Sequence, residues 1–244
     1  MAAVSVITVP AFSSNRAKIR HFFGTRQHSM GLNLEVGVPS QGIRGAAPTA
    51  WTLSVKQVHG IEALVVDRAL IPADRFTGGW DAVVTNQPGI MVAVRTADCV
   101  PVLIHDSKRG VVAAIHAGWR GAVAGIVPNT LALLQSRFGS RADHLRVSIG
   151  PSAGVCCYEV DEPVLQSLRR QCDSWKKVVS PRPNGNAHLD LKALIKEQAL
   201  GAGVIPHAIT TVNLCTICHE ALFFSYRREG KVNGTMLSAI GMVS

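Results

Sequence analysis

The sequence predicts an α+β fold: one domain over residues 1–244, with mixed β-sheets and flanking helices. Three observations lead there. The chain has 244 residues, 47% hydrophobic and 17% charged, which is ample material for one large packed core. Strand-like and helix-like stretches interleave without the regular alternation of a doubly wound sheet. Three close runs, 90–94, 100–104 and 111–115, are apolar throughout rather than at every second residue, so they read as strands covered on both faces.

The elements follow in order. Residues 4–9 and 19–23 read as short strands. Residues 37–50, rich in Gly, Pro and Ala, read as a loop. Residues 51–58 and 61–66 are strand-like and flank Gly60. A second loop, 72–79, leads to the apolar stretch 82–84 and then to the three buried strands. Residues 122–138 carry a helical pattern closed by Gly139, with Pro128 expected to kink or split it. Residues 145–149 form another strand, and 163–171 and 189–200 two more helices. Residues 209–212, 223–225 and 235–240 read as strands.

Composition excludes several classes. Six Cys in 244 residues are too sparse for a disulfide scaffold. The longest uncharged run, 198–219, is interrupted by Gly201, Gly203, Pro206 and Asn213, which argues against a membrane span. No Lys or Arg precedes Arg16 and no cleavage pattern follows, so a cytoplasmic location with free thiols is expected. The net charge is +9, yet no basic run exceeds two residues and aromatics make up only 5%. That distribution argues against nucleic acid as the main partner and favours a small anion held by scattered Arg.

The strongest chemical constellation is His59, Cys99 and His116. Each sits at a strand end: Gln57-Val58-His59-Gly60, Thr96-Ala97-Asp98-Cys99 and His116-Ala117-Gly118-Trp119-Arg120-Gly121. Two imidazoles and one thiolate suit Zn²⁺ with a fourth position open, but two capping histidines and a buried thiol fit the spacing as well. Asp98 is open between a partner for a ligating His, a proton carrier and a turn cap; Asp81, after Gly78-Gly79-Trp80, is equally open. Arg120, between Gly118 and Gly121, is either an anion fork or a solvated turn residue. Cys215-Thr216-Ile217-Cys218-His219 spells a haem-attachment pattern. Without an export signal, and with the vicinal Cys156-Cys157 not supplying a clean second pair, these Cys read as packed small hydrophobes. Neither haem nor a second metal is expected there.

Six motifs occurring in order closely resemble the YfiH family, also called the laccase-domain or multicopper polyphenol oxidoreductase-like family. They are Gln57-Val58-His59-Gly60, Asp98-Cys99-x-Pro101, His116-Ala117-Gly118-Trp119-Arg120-Gly121, Ile149-Gly150-Pro151, Cys157-Tyr158-Glu159-Val160 and Phe223-Phe224-Ser225-Tyr226-Arg227-Arg228. The likeness runs from about residue 22 to about residue 240.

The resemblance implies a metal at His59, Cys99 and His116, zinc first and copper as the alternative. It implies purine nucleoside chemistry: phosphorolysis of adenosine, inosine and methylthioadenosine, and deamination of adenosine. The expected partners are then a nucleoside and phosphate, with no nucleic acid and no membrane; a homodimer is left open. Asp98, Cys99 and Arg120 become the catalytic candidates, and Arg26 and Arg120 the phosphate-binding ones. Two rivals stand beside this reading. One is copper-dependent polyphenol oxidation, for which nine His without an HxH pair offer one mononuclear site at most. The other is a metal-free hydrolase with Cys99 as nucleophile and His116 as base, linked to peptidoglycan precursor editing. The sequence departs from the family at 25–34, which is compressed and lacks a paired Gly, so the pocket rim is expected to differ.

Overall fold

A computed structural model describes residues 6–12, 19–29, 35–41 and 51–243 of the chain. The first two residues of the expected strand 4–9, residues 42–50 of the expected loop 37–50 and residues 30–34 of the compressed segment 25–34 lie outside them.

Among the described residues, two six-stranded sheets and a small three-stranded sheet carry the fold. The first large sheet runs, in spatial order, through Val6–Ile7, Ile19–Gly24, Met236–Met242, Ile90–Thr96, Trp51–Ser54 and Ser40–Gln41. The second runs through Ile209–Thr211, Leu145–Ile149, Val100–Asp106, Val111–Ala117, Ala82–Thr85 and Ala63–Val66. Both are mixed: Trp51–Ser54 pairs parallel with Ile90–Thr96 in the first, and Ala63–Val66 parallel with Ala82–Thr85 in the second.

The continuously apolar strands are buried on both faces, and alternate residues go to different layers. Val100, Val102 and Ile104, with Val111, Ala113 and Ile115, pack into a core shared with Ile126, Leu134, Leu165 and Ile195 of the helices. Leu103, Val112 and Ala114 point the other way, against Val92, Val94, Phe23 and Ile240 of the first sheet. The result is helices on sheet on sheet, the layered burial that unbroken apolar runs require.

The helical pattern at 122–138 is split rather than kinked. Trp119–Val123 forms one short helix and Ile126–Phe138 a second. Gly125, at φ 90°, makes the break in a left-handed conformation that a side chain would resist. Pro128 falls in the first turn of the second helix, where its missing N–H breaks no intrahelical bond. Gly139 closes the helix in the left-handed region, as expected. Glu162–Gln171 and Leu191–Gly201 are the remaining long helices; the second starts after Asp190, whose side chain accepts from the Ala193 N–H.

Two expectations fail. Residues 223–225 are not a strand: Ser225 caps the short helix Tyr226–Glu229 by accepting from the Arg228 N–H, while Phe223 and Phe224 are buried. The strands expected at 51–58 and 61–66 are shorter, because the backbone N–H groups of 58–60 are drawn to a carboxylate instead of a neighbouring strand.

Candidate active site

That carboxylate is Asp81, fully buried at the start of Ala82–Thr85. Its Oδ1 accepts from His59 N at 3.0 Å, and its Oδ2 from Val58 N at 3.2 Å and Gly60 N at 2.6 Å. The turn is thereby wrapped around one side chain, with His59 held at φ 62°. Gln57 adds a second anchor, donating to the Arg95 carbonyl and accepting from the Arg95 N–H. His59 is consequently fixed by its backbone while its ring stands exposed.

His116 ends Val111–Ala117 and is buried. Its Nδ1 lies 2.7 Å from Asp81 Oδ1, which orients the ring and leaves Nε2 for another partner. Cys99 lies where the chain leaves the first sheet for the second, and its Sγ is 4.0 Å from His59 Nε2. The two rings meet edge-on with centroids 4.8 Å apart. One donor atom from each of His59, Cys99 and His116 falls within 4.8 Å of the other two. The structure thus brings the three candidate ligands together.

The following glycines have a steric purpose. A Cβ on Gly118 would come within 2.8 Å of His59 Cδ2 and 3.1 Å of Cys99 Sγ. A Cβ on Gly121 would lie 2.7 Å from the Gly60 carbonyl oxygen. The His-Ala-Gly-Trp-Arg-Gly block is therefore a bare floor against which the His59 turn rests.

Electrostatics favour a charged donor set. Burial alone would push the Cys99 thiol up, but hydrogen bonds from His116 and His59, and their charge, bring it down to about 7. Burial would likewise hold the His116 imidazolium down, but Asp81 and Cys99 push it up to about 9. Asp81 is depressed in turn: its burial is outweighed by the His116 and backbone hydrogen bonds. Two N donors and one readily formed thiolate, one His braced by a carboxylate, fit Zn²⁺.

The triad opens into a cleft of about 1030 Å³. Val36, Val38, Phe76, Trp119 and Tyr158 give it apolar walls. Lys56, Arg75, Arg95, Arg120 and Arg227 bring positive charge to it. Arg120 stacks on Trp119 with its guanidinium 4.4 Å from the ring centroid. Burial pushes the Tyr158 hydroxyl up to about 12, aided by Cys99, so it stays a neutral phenol.

Residues 41–243 match the family described as "Multi-copper polyphenol oxidoreductase laccase". The chain belongs to that family. Among relatives of this laccase-like family is a protein from Geobacillus stearothermophilus named purine nucleoside phosphorylase YlmD. It is 38% identical over 80% of this chain and 74% of its own length. Another, from an unknown prokaryotic organism, is named adenosine deaminase RL5 and is 34% identical over 98% of this chain and 95% of its own. The crystal structure of YfiH from Bacillus licheniformis superposes with a TM-score of 0.83 at 25% identity, covering 100% of this chain and 98% of that one.

Within this laccase-like frame the other candidates fall unevenly. Arg120 faces the cleft. Arg26 does not line it: its Nη2 is 2.7 Å from Glu229 and its guanidinium stacks on Phe224. Asp98 does line the cleft, at φ 91°, but its oxygens already accept from Thr216 Oγ1 at 2.6 Å, Ser225 Oγ at 3.0 Å and Arg227 N at 2.7 Å. The carboxylate bonded to one of the candidate ligand histidines, His116, is Asp81. Sequence reasoning left Asp81 open and missed Lys56, Arg75 and Arg95, which carry no local pattern; Arg227 lay in the Phe223–Arg228 motif without a role assigned to it. No helix among the described residues is long and apolar enough to cross a membrane.

Proposed function

We propose that this chain is a zinc-dependent enzyme of purine nucleosides, acting by phosphorolysis of adenosine, inosine and methylthioadenosine and by deamination of adenosine. The observation that carries the reading is the His59, Cys99 and His116 donor set at the base of a cleft that is apolar on its walls and cationic at its rim. The names of its relatives support the same class.

When bound, Zn²⁺ would supply a Lewis acid and a water acidified to near neutral pH. His59, Cys99 and His116 would hold it, with Asp81 keeping His116 Nδ1 protonated and its Nε2 free to ligate. Phe76, Trp119 and Tyr158 offer faces to a purine and exclude water around it. In phosphorolysis the C1′–N9 bond breaks and a phosphate oxygen bonds to C1′. Arg120, pre-set on Trp119, presents the planar fork that orients phosphate. In deamination water replaces the 6-amino group, which leaves as ammonia. Asp98 enters as the residue that places Arg227 and the 225–228 turn at the cleft.

One rival has a specific observation behind it. Cys99, His116 and Asp81 also stand in the order of a nucleophile, base and orienting carboxylate. Nucleoside turnover with and without phosphate, before and after chelation, separates the readings. Zinc-dependent release of free base and ribose 1-phosphate, lost in Cys99→Ala, is expected. Turnover that survives complete metal removal would replace the zinc enzyme with the thiol one. The multi-copper reading lacks ligands: among the described residues only one donor cluster contains His.

A further inference from the structure

The vicinal pair Cys156-Cys157 and the Cys215-x-x-Cys218 pair are far apart in sequence, and neither alone makes a metal site. The fold corrects the expectation that these Cys are packed small hydrophobes, because Cys156 and Cys218 are exposed and all four cluster. Leu145–Ile149 and Ile209–Thr211 pair parallel, and their continuations meet again in a bridge between Ser152 and Cys215. This puts the two turns face to face, and all four sulfurs lie within 4.8 Å of one another.

We propose that Cys156, Cys157, Cys215 and Cys218 form a second metal site, a tetrathiolate that takes Zn²⁺ and clamps the 154–157 turn to the 215–219 turn. The spacing is that of such a site. Cys218 Sγ is 3.3 Å from Cys157 Sγ and 3.6 Å from Cys156 Sγ. A tetrahedron with Zn–S bonds of about 2.3 Å has sulfur–sulfur edges of about 3.8 Å.

The surroundings are built for thiolates. The Gly154 N–H points at Cys215 Sγ from 3.2 Å. A Cβ on Gly154 would meet Cys215 Cβ at 3.0 Å and Cys156 Sγ at 3.2 Å, so only glycine lets the two sulfurs approach. The turns are held independently of any ion. The Cys157 and Tyr158 N–H groups donate to the Gly154 carbonyl, the Thr216 N–H to Ser152 and the His219 N–H to Cys215. A preformed site avoids most of the ordering cost of metal binding.

Lys192 is a second, independent sign. It is buried at 9% exposure, and its ammonium donates to the carbonyls of Val212 and Leu214 rather than pairing with a carboxylate. It lines a small cavity with Cys156 and Cys215. Four thiolates around a divalent ion leave excess negative charge, and a buried ammonium beside them offsets it. His219 stands outside the group of four sulfurs, and its Nδ1 lies 2.9 Å from the Cys215 carbonyl oxygen. Cys156 and Cys218 are exposed, which gives the ion an entry.

The site shares no residue with His59, Cys99 and His116, so the two can be counted separately. Zinc per chain is measured on the full protein purified without chelator, for the wild type, Cys99→Ala and Cys218→Ser. Cys218→Ser is expected to lose about one ion per chain. That loss should appear whether or not Cys99→Ala also loses one; no loss in Cys99→Ala would count against the active-site reading alone. Cobalt substitution gives a second readout. The thiolate-to-cobalt absorption should persist in Cys99→Ala and collapse in Cys218→Ser. Should Cys218→Ser fail to fold, a mercurial titration of Cys99→Ala decides: zinc released as its thiols react supports the site, and no zinc to release overturns it. An unchanged zinc count in a folded Cys218→Ser protein would overturn the proposal. So would a Cys157–Cys218 disulfide in wild-type protein prepared under reducing conditions.

Discussion

Replacing Asp81 with Asn changes one atom and tests how the site is assembled. Asp81 Oδ1 serves His59 N and His116 Nδ1, and Oδ2 serves Val58 N and Gly60 N. An amide has one oxygen, so whichever way it turns, its NH₂ faces two donors. One or two part-buried donors lose their acceptor, at about 1–3 kcal/mol each, for an expected destabilisation of about 1–6 kcal/mol. If the NH₂ faces His116, the imidazole must accept at Nδ1, which puts its proton on Nε2 and removes the ligating lone pair. Loss of such a carboxylate–histidine bond lowers metal affinity about 10–100-fold. Denaturant unfolding gives the first quantity and competition with a chromophoric chelator the second. Stability within about 1 kcal/mol of wild type together with unchanged zinc affinity would refute the assignment of Asp81 as the anchor of the His59 turn and of His116.

Gly118→Ala should disturb the ligand set with modest effect on the fold, since its Cβ meets His59 Cδ2 at 2.8 Å; metal content should drop while the cost in unfolding stays about 1–3 kcal/mol. Arg120→Lys should raise the phosphate KM at least several-fold with zinc content unchanged, because an ammonium lacks the planar fork; initial rates against phosphate concentration check it. His105 lies in Val100–Asp106, where burial pulls it down from 6.5 to about 4, so it is neutral in the folded protein. Its folded value is the lower one. The stability linked to its neutral form is therefore complete above 6.5 and lost as pH falls through about 4. At about 1.4 kcal/mol per unit, the loss is on the order of 3 kcal/mol, and His105→Phe should flatten unfolding free energy measured from pH 7 down to pH 4.

The legible parts of the molecule were those written in local chemistry. Unbroken apolar runs announced buried strands, and Gly139 announced a helix end. His59, Cys99 and His116 were legible because each sits in a short motif at a strand end. Asp81 was not, because its role is to accept backbone N–H groups, and backbone carries no sequence signal. The four-cysteine cluster was hidden for a related reason: its pairs meet only through a parallel strand pairing between 145–149 and 209–211. Arg26 misled because a motif match gives a residue type but not its neighbour; here Glu229 claims it. The strand expected at 223–225 failed because a hydroxyl at Ser225 diverts the chain into a capped turn.

His59 lies on the segment that leads from Trp51–Ser54 in one sheet to Ala63–Val66 in the other, and Cys99 on the segment that leads from Ile90–Thr96 to Val100–Asp106. Two of the three donors thus sit on chain crossings, and His116 comes from the second sheet alone. No local piece of the nascent polypeptide contains the whole set. Loading of a metal by this set would therefore wait until both sheets have formed and docked, among the last events of folding and after the slow, non-local pairings. Ion selection would then fall to the finished cavity rather than to thiols on an unfolded chain. An ion held by the set would link both crossings, and their amides should then resist hydrogen exchange as one unit.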